Sequence, residues 1–151
     1  MKRIGKKIEN TIYNKRPGVY VIIESDEDDK IAIATDAVGV YFFLGGGIEE
    51  NETPEEALKR EVIEESGYSL KNIILFDKVA SWCYSETRGY MDVEATIYIA
   101  NFDKKVAKPI EEDHEIIWVN PLEYKNKLYH EYQRYILNKY ILIKKGKNYE
   151  K

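Results

Sequence analysis

Three glutamates, Glu61, Glu64 and Glu65, lie close together in a segment with the pattern of an α-helix. At 100° per residue they share an arc of about 100° on one helix face. Like charges at this spacing cost about 0.2–0.5 kcal/mol per pair, and the nearby cation of Arg60 cannot neutralise three anions. A hard divalent cation would resolve the conflict, because Mg²⁺ and Mn²⁺ prefer carboxylate oxygens. The alternative is a solvated acidic helix face.

Three consecutive glycines at positions 45–47 precede this helix. We expect them to form a loop whose backbone comes close to a ligand, because glycine has no side chain and adopts positive φ. Additional carboxylates follow at Glu49, Glu50 and Glu52. The pattern of strand, glycine-rich loop and helix predicts a site with several carboxylates and a metal ion, which suits phosphate chemistry.

Local signals predict the helix that carries the glutamates from Pro54 to Ser66. Thr53 is expected at the N-cap and Glu56 in a capping box with it, while proline suits the first helical position. Gly67 is expected to end the helix. The three glutamates are therefore placed near its C-terminal end.

The remaining elements predict an α/β or α+β fold with a mixed sheet and helices packed against it. A short helix is expected after Asn120. A long final helix is expected over about 129–144, with Tyr132, Ile136, Tyr140 and Ile143 packed in the core. Strand-like segments cover 18–24, 30–35, 38–44, 72–84, 91–101 and 115–119.

Composition and charge favour a single domain in a reducing compartment. The chain has 151 residues, of which 44 % are hydrophobic, and its net charge is −4. This length suits one domain over 1–151, and the acidic balance argues against a stable complex with nucleic acid. Cys83 is the single cysteine, so no intramolecular disulfide forms. Neither a secretory signal nor an apolar run that could span a membrane is found, and we expect a cytoplasmic protein.

The segment from 46 to 68 resembles the Nudix box, the motif of a superfamily of hydrolases. Tyr68 stands where the box usually has an aliphatic residue. The matching positions are Gly46, Glu52, Arg60, Glu61, Val62, Glu64, Glu65, Gly67 and Tyr68. The resemblance implies an α/β/α sandwich with a mixed β-sheet. It also implies Mg²⁺-dependent hydrolysis, with Mn²⁺ as a substitute, of a nucleoside diphosphate linked to another moiety.

The resemblance also implies roles for individual residues. Glu61 and Glu65 would be the core Mg²⁺ ligands, with Glu64 assisting. Arg60 would orient a glutamate, and Glu52 would support the site as a further metal residue. The backbone carbonyl of Gly46 would complete the metal ligands. The general base stays open between Glu61, Glu65 and a carboxylate of the 111–113 loop, with Glu112 and Asp113 as its candidates.

The substrate is less closely specified than the reaction. The short chain and its 114–119 stretch are similar to the MutT-like members, which implies a nucleoside triphosphate. Tyr84, at a suggestive distance after the box, keeps a diadenosine polyphosphate hydrolase open. A non-catalytic Nudix-fold regulator that binds a nucleotide is the other alternative. Phe43, Trp82 and Tyr84 are candidates to stack on a base, or else pack in the interior. Both a monomer and a homodimer remain open.

Overall fold

A computed structural model describes residues 1–110 and 114–149 of the chain. Its elements are β1 (Lys2–Ile4), β2 (Asn14–Glu24), β3 (Ile31–Thr35), β4 (Tyr41–Phe42), β5 (Leu44–Gly47), α1 (Pro54–Ser66), β6 (Tyr68–Ser85), β7 (Gly89–Lys105), β8 (Glu115–Val119), α2 (Pro121–Tyr124) and α3 (Glu131–Tyr149). None of the helices in these described ranges has the length and apolar character needed to cross a membrane.

The strands form one mixed sheet in the order β1-β6-β7-β2-β3-β4, with β5 also paired to β2 and β8 to β3. β2 runs parallel to β7, and β1 runs parallel to β6. The remaining pairs are antiparallel. The predicted mixed sheet is therefore confirmed.

Alternate residues of β2 divide the interior into two cores, because successive strand side chains point to opposite faces. Tyr20 and Ile22 pack in the core that includes α3. Val19, Val21 and Ile23 pack in the core that includes α1. One helix therefore covers each face of the sheet, which confirms the predicted sandwich.

Helix α1 has the bounds and caps that the sequence predicts. The Thr53 hydroxyl accepts the Glu56 N–H at 3.1 Å, and the Glu56 carboxylate accepts the Thr53 N–H at 2.9 Å. At the other end, Gly67 adopts φ 79°, and its N–H donates to the Ile63 carbonyl at 2.8 Å. These caps hold α1 in place at both ends of the glutamate cluster.

Thr53→Ala is expected to lower the free energy of unfolding by about 1 kcal/mol, because the Glu56 N–H loses its partner. Urea unfolding followed by circular dichroism measures the effect. Thr87→Ala is the matched control, since Thr87 is exposed in the turn between β6 and β7. Equal unfolding midpoints for the two variants would contradict a stabilising role for the capping box.

The structure corrects the prediction that the three glycines form a loop. All three lie in β5, where Gly45, Gly46 and Gly47 pair with Tyr20, Val19 and Gly18 of β2. Their function is to allow a close approach to the backbone within a strand. Gly45 also adopts φ 143°, a backbone conformation that residues with a side chain rarely adopt.

The predicted strand over 38–44 is interrupted. The Asp36 carboxylate accepts N–H groups from Val38, Gly39 and Val40 at 3.0–3.1 Å, which makes a tight turn before the short strand β4. β2, β6 and β7 are longer than predicted, since pairing extends their ends. These differences reflect pairing partners that are distant in sequence.

Helix α3 begins and ends two to five residues later than predicted. Tyr132, Ile136 and Tyr140 are buried, as the helical spacing indicates. Ile143 is 39 % exposed, so its predicted place in the core is wrong. The core contact continues instead through Ile141, which lies on the face that meets the sheet.

Candidate functional site

Arg60 is the centre of a group of glutamates at the junction of β5 and α1. Its Nε and Nη2 atoms donate to the two Glu52 carboxylate oxygens at 2.7 and 3.0 Å. Its Nη1 atom donates to Glu61 at 3.0 Å and lies 3.5 Å from Glu64. This hydrogen bonding lowers the pKa of Glu52 and raises that of Arg60. The guanidinium therefore holds three carboxylates in fixed positions.

The same guanidinium connects strand, loop and helix. Arg60 Nη2 donates to the Gly47 carbonyl at 3.0 Å, at the end of β5. Glu49, in the loop, lies 3.8 Å from Nη1 and donates its own N–H to Glu52 at 2.8 Å. The strand, the loop and the helix are therefore held in position relative to one another by Arg60.

The glycine strand lets two glutamate side chains lie against the backbone of β5. A Cβ atom on Gly46 would be only 2.5 Å from Glu61 Cδ. The N–H of Gly45 donates to Glu65 Oε1 at 2.8 Å, which holds this buried carboxylate beside the strand. The close approach of the Glu61 carboxylate therefore explains why residue 46 is a glycine.

The carboxylate oxygens of this site are the kind of ligand that a hard metal ion prefers, although in this structure they surround the Arg60 guanidinium. Four glutamates, Glu49, Glu52, Glu61 and Glu64, lie within 4 Å of one guanidinium. These four carboxylates carry more negative charge than Arg60 alone neutralises, and carboxylate oxygens are ligands that Mg²⁺ binds. Within residues 1–110 and 114–149, no three carboxylate, imidazole or thiol groups already converge as a metal cage.

The other predicted site residues lie outside this group. Phe43 is 1 % exposed and packs in the core with α3, so its ring does not reach a surface where a base could stack. Trp82 is half-buried, while Tyr84 is 48 % exposed. The candidates Glu112 and Asp113 lie outside the described residues.

Arg16 is a neighbour of the site that sequence reasoning missed. Its guanidinium would be 3.1 Å from a Cβ atom on Gly47, the residue whose carbonyl accepts from Arg60. The sequence pattern predicts a strand from residue 18, which leaves Arg16 outside it. The basic pair before Pro17 could have indicated this residue. Only the pairing of β2 with β7 places that pair in the sheet.

His130 is a titratable group packed among aromatic rings at the start of α3. The centroids of Phe42, Tyr129 and Tyr132 lie 6.0, 4.9 and 5.4 Å from its own. Burial, with the charge of Arg134, lowers the pKa of His130 to about 4. The imidazole is therefore neutral in the folded protein at neutral pH.

Acidification is expected to destabilise the protein through His130. The unfolded chain binds a proton near pH 6.5, whereas the folded chain does so only near pH 4. Stability from the neutral ring is complete above pH 6.5 and falls by about 2–3 kcal/mol as pH drops to 4. His130→Gln should remove this part of the pH dependence in urea unfolding series. Parallel pH profiles for the two proteins would contradict the assignment.

Comparisons with known proteins agree with this fold and site. The family model described as NUDIX domain matches residues 14–140, well over half of the chain. A NUDIX hydrolase structure from Nitrosomonas europaea has a TM-score of 0.71 at 17 % identity, covering 85 % of this chain and 90 % of that one. That likeness concerns the fold.

Two curated relatives share segments of sequence. An 8-oxo-dGTP diphosphatase from Proteus vulgaris is 50 % identical over 42 residues, which are 28 % of this chain and 38 % of that protein. An RNA pyrophosphohydrolase from Sulfurovum sp. is 39 % identical over 72 residues, 44 % of this chain and 45 % of that protein. The chain thus spans less than half the length of either relative. The family model, together with the Arg60 site built on the box residues, shows that the chain belongs to the NUDIX domain family.

Proposed function

We propose that this protein is a Mg²⁺-dependent pyrophosphohydrolase. It cleaves a pyrophosphate bond in a nucleoside diphosphate linked to another moiety, with a MutT-like nucleoside triphosphate as the leading substrate. The observation that carries the proposal is the group of glutamate carboxylates around Arg60, beside the three consecutive glycines of β5. Both curated relatives are named for pyrophosphate or diphosphate hydrolysis, which supports the same reaction class.

In this proposal the box residues have separate roles. Glu61 and Glu65 hold Mg²⁺, with Glu64 assisting and the Gly46 carbonyl as a further ligand. When bound, the metal neutralises phosphate charge and lowers the pKa of a water molecule. Mn²⁺ would substitute, because it accepts the same oxygen ligands. The protein supplies the arrangement of these donors before the substrate arrives.

Arg60 and Glu52 act as positioning residues. The paired hydrogen bonds from Arg60 to Glu52 fix the plane of the guanidinium, and the same group then orients Glu61. Glu52 is itself held by the Glu49 N–H. The chain of contacts fixes the Glu61 carboxylate against the backbone at Gly46.

The reaction needs a carboxylate to accept the proton of water. The water oxygen forms a bond to one phosphorus, and the bond from that phosphorus to the bridging oxygen breaks. The second phosphate group leaves with the electron pair of that bond, and the proton goes to the base. Glu61, Glu65, Glu112 and Asp113 are the proposed candidates for that base. The proposed location of the enzyme is the cytoplasm, where nucleoside triphosphates are available.

A second candidate is the same cleavage at the 5′ end of an RNA chain. It is favoured by the relative named RNA pyrophosphohydrolase, whose matched segment is the longer of the two. The bond broken and the site residues would be identical. Only the group attached to the phosphates differs.

Phosphate and pyrophosphate release from a panel of substrates tests the proposal. The panel contains canonical and oxidised dNTPs, diadenosine polyphosphates, ADP-ribose, nucleotide sugars and 5′-triphosphorylated RNA, each with Mg²⁺ and with EDTA. Metal-dependent turnover is expected, with a nucleoside triphosphate preferred. Binding of a nucleotide by folded protein without any turnover would instead indicate a non-catalytic binding module.

A further inference from the structure

The N-terminal segment is opposite in charge to the rest of the protein. Its first 16 residues contain six basic side chains and one acidic side chain, whereas the whole chain has a net charge of −4. The average charge therefore conceals a basic region. Such asymmetry is typical of a region that meets a polyanion.

This basic segment lies on aromatic side chains of β6. β1 pairs with β6, with Arg3 aligned to Ala80. The Arg3 guanidinium lies 4.2 Å from the centroid of the Trp82 ring, and Lys7 Nζ lies 5.2 Å from it. Tyr13 packs on the same ring at 4.8 Å. Basic and aromatic groups are thus interleaved on one surface.

Two tyrosines extend this surface toward solvent. Tyr13 lies 5.5 Å from Tyr90, which lies 4.9 Å from Tyr84 across the β6–β7 hairpin. Tyr84 is 48 % exposed and Tyr90 is 37 % exposed. We call the whole surface the aromatic–basic face; it consists of Arg3, Lys7, Tyr13, Lys15, Trp82, Tyr84 and Tyr90.

The aromatic–basic face continues to the candidate site through β2. Lys15 is aligned with Asp92, which is aligned with Trp82, so the three share one row of the sheet. Alternation along β2 places Lys15 on the same face as Val19, which packs in the core with α1 and pairs with Gly46 of β5. The aromatic–basic face and the glutamates of the site therefore lie on the same side of the sheet.

We propose that the aromatic–basic face binds a single strand of RNA whose 5′-phosphorylated end occupies the Arg60 site. Exposed tyrosines stack on bases, and lysines contact phosphates, which is how proteins hold single strands without reading sequence. Arg3 already pairs with Asp92 at 2.9 Å, so the phosphate contacts are assigned to Lys7 and Lys15.

RNA is favoured over DNA by the chemistry of the site. The inference rests on the proposed function, which requires a pyrophosphate bond in the substrate. RNA synthesis starts without a primer and leaves a triphosphate at the 5′ end of the strand, whereas a primed DNA strand carries none. A strand that places a pyrophosphate in the site is therefore RNA.

Direct binding to RNA tests the face independently of turnover. The probe is a 3′-labelled RNA of about 12 nucleotides with a 5′-hydroxyl end, followed by fluorescence anisotropy without metal. Lys7→Glu with Lys15→Glu should weaken binding roughly tenfold and reduce the salt dependence by about one ion per lysine. The control, Lys71→Glu with Lys105→Glu, changes net charge equally at exposed positions elsewhere. Equal affinities for the two double variants would overturn the proposal.

The tyrosines provide a second test with a conservative rescue. Tyr84→Ser with Tyr90→Ser should weaken binding roughly tenfold, because each lost ring removes a stacking partner. Tyr84→Phe should bind as the wild type does. Equally tight binding of an acidic poly-glutamate peptide would overturn the assignment to a nucleic-acid strand.

Steady-state kinetics separate failure of this inference from failure of the proposed function. The Lys7→Glu, Lys15→Glu protein should show a KM roughly tenfold higher for 5′-triphosphorylated RNA and an unchanged KM for a nucleoside triphosphate. Turnover of both substrates with both KM values unchanged would overturn the face alone. Charge-sensitive RNA binding without turnover of any nucleotide would support the face and overturn the proposed hydrolase.

Discussion

Glu61→Gln and Glu65→Gln are each expected to lower kcat by about 100- to 1000-fold, because the charge that would hold Mg²⁺ is lost. The amide keeps the size of the side chain. In Glu65→Gln it also keeps an oxygen that accepts the Gly45 N–H. The loss therefore reports charge rather than packing. Nucleotide turnover at saturating Mg²⁺ measures it.

Thermal unfolding provides a readout for the same variants that does not depend on activity. A ligand at 100 times its Kd stabilises the folded state by about 2.7 kcal/mol, so Mg²⁺ should raise the wild-type Tm. The rise should be smaller in both variants. Glu55→Gln is the matched control, since it removes an exposed charge from the first turn of α1. A wild-type kcat in either site variant would exclude that glutamate from the proposed metal set.

Arg60→Lys is expected to lower kcat by about 10- to 100-fold while leaving KM nearly unchanged. Lysine keeps the charge but cannot donate to both Glu52 oxygens, Glu61 and the Gly47 carbonyl at once. Loss of such supporting contacts typically costs this much in metal affinity or activity. The split between kcat and KM identifies Arg60 as a positioning residue.

Arg60→Met separates the structural effect from the catalytic one. It removes the guanidinium that Glu49, Glu52, Glu61 and Glu64 share, so Arg60 no longer offsets the repulsion between these carboxylates. We expect the free energy of unfolding to fall by about 2 kcal/mol at low salt, less than for a fully buried pair because the Arg60 side chain is 25 % exposed. Added Mg²⁺ or high salt should restore part of this loss. Stability equal to the wild type at low salt would show that the glutamates do not depend on Arg60.

Features that depend on neighbours within about one helical turn could be predicted from the amino-acid sequence alone. The bounds of α1 follow from Thr53, Glu56 and Gly67, whose hydrogen bonds all lie within four residues. The box spacing identified the glutamates and Arg60 for the same reason, since a helix fixes the directions of side chains three and four residues apart. The two-sided pattern of β2 likewise follows from alternation along a strand.

Features that depend on contacts between segments distant in sequence became evident only in the folded structure. The glycines became a strand because β2 pairs with them, and Glu61 and Glu65 then meet that strand from α1. Phe43 is buried because it lies between two short strands and packs under α3. The N-terminal basic residues come to lie beside the aromatic side chains of β6 only because β1 pairs with that strand. Local patterns carry no information about strand partners, because pairing depends on which distant segments bury their apolar faces together.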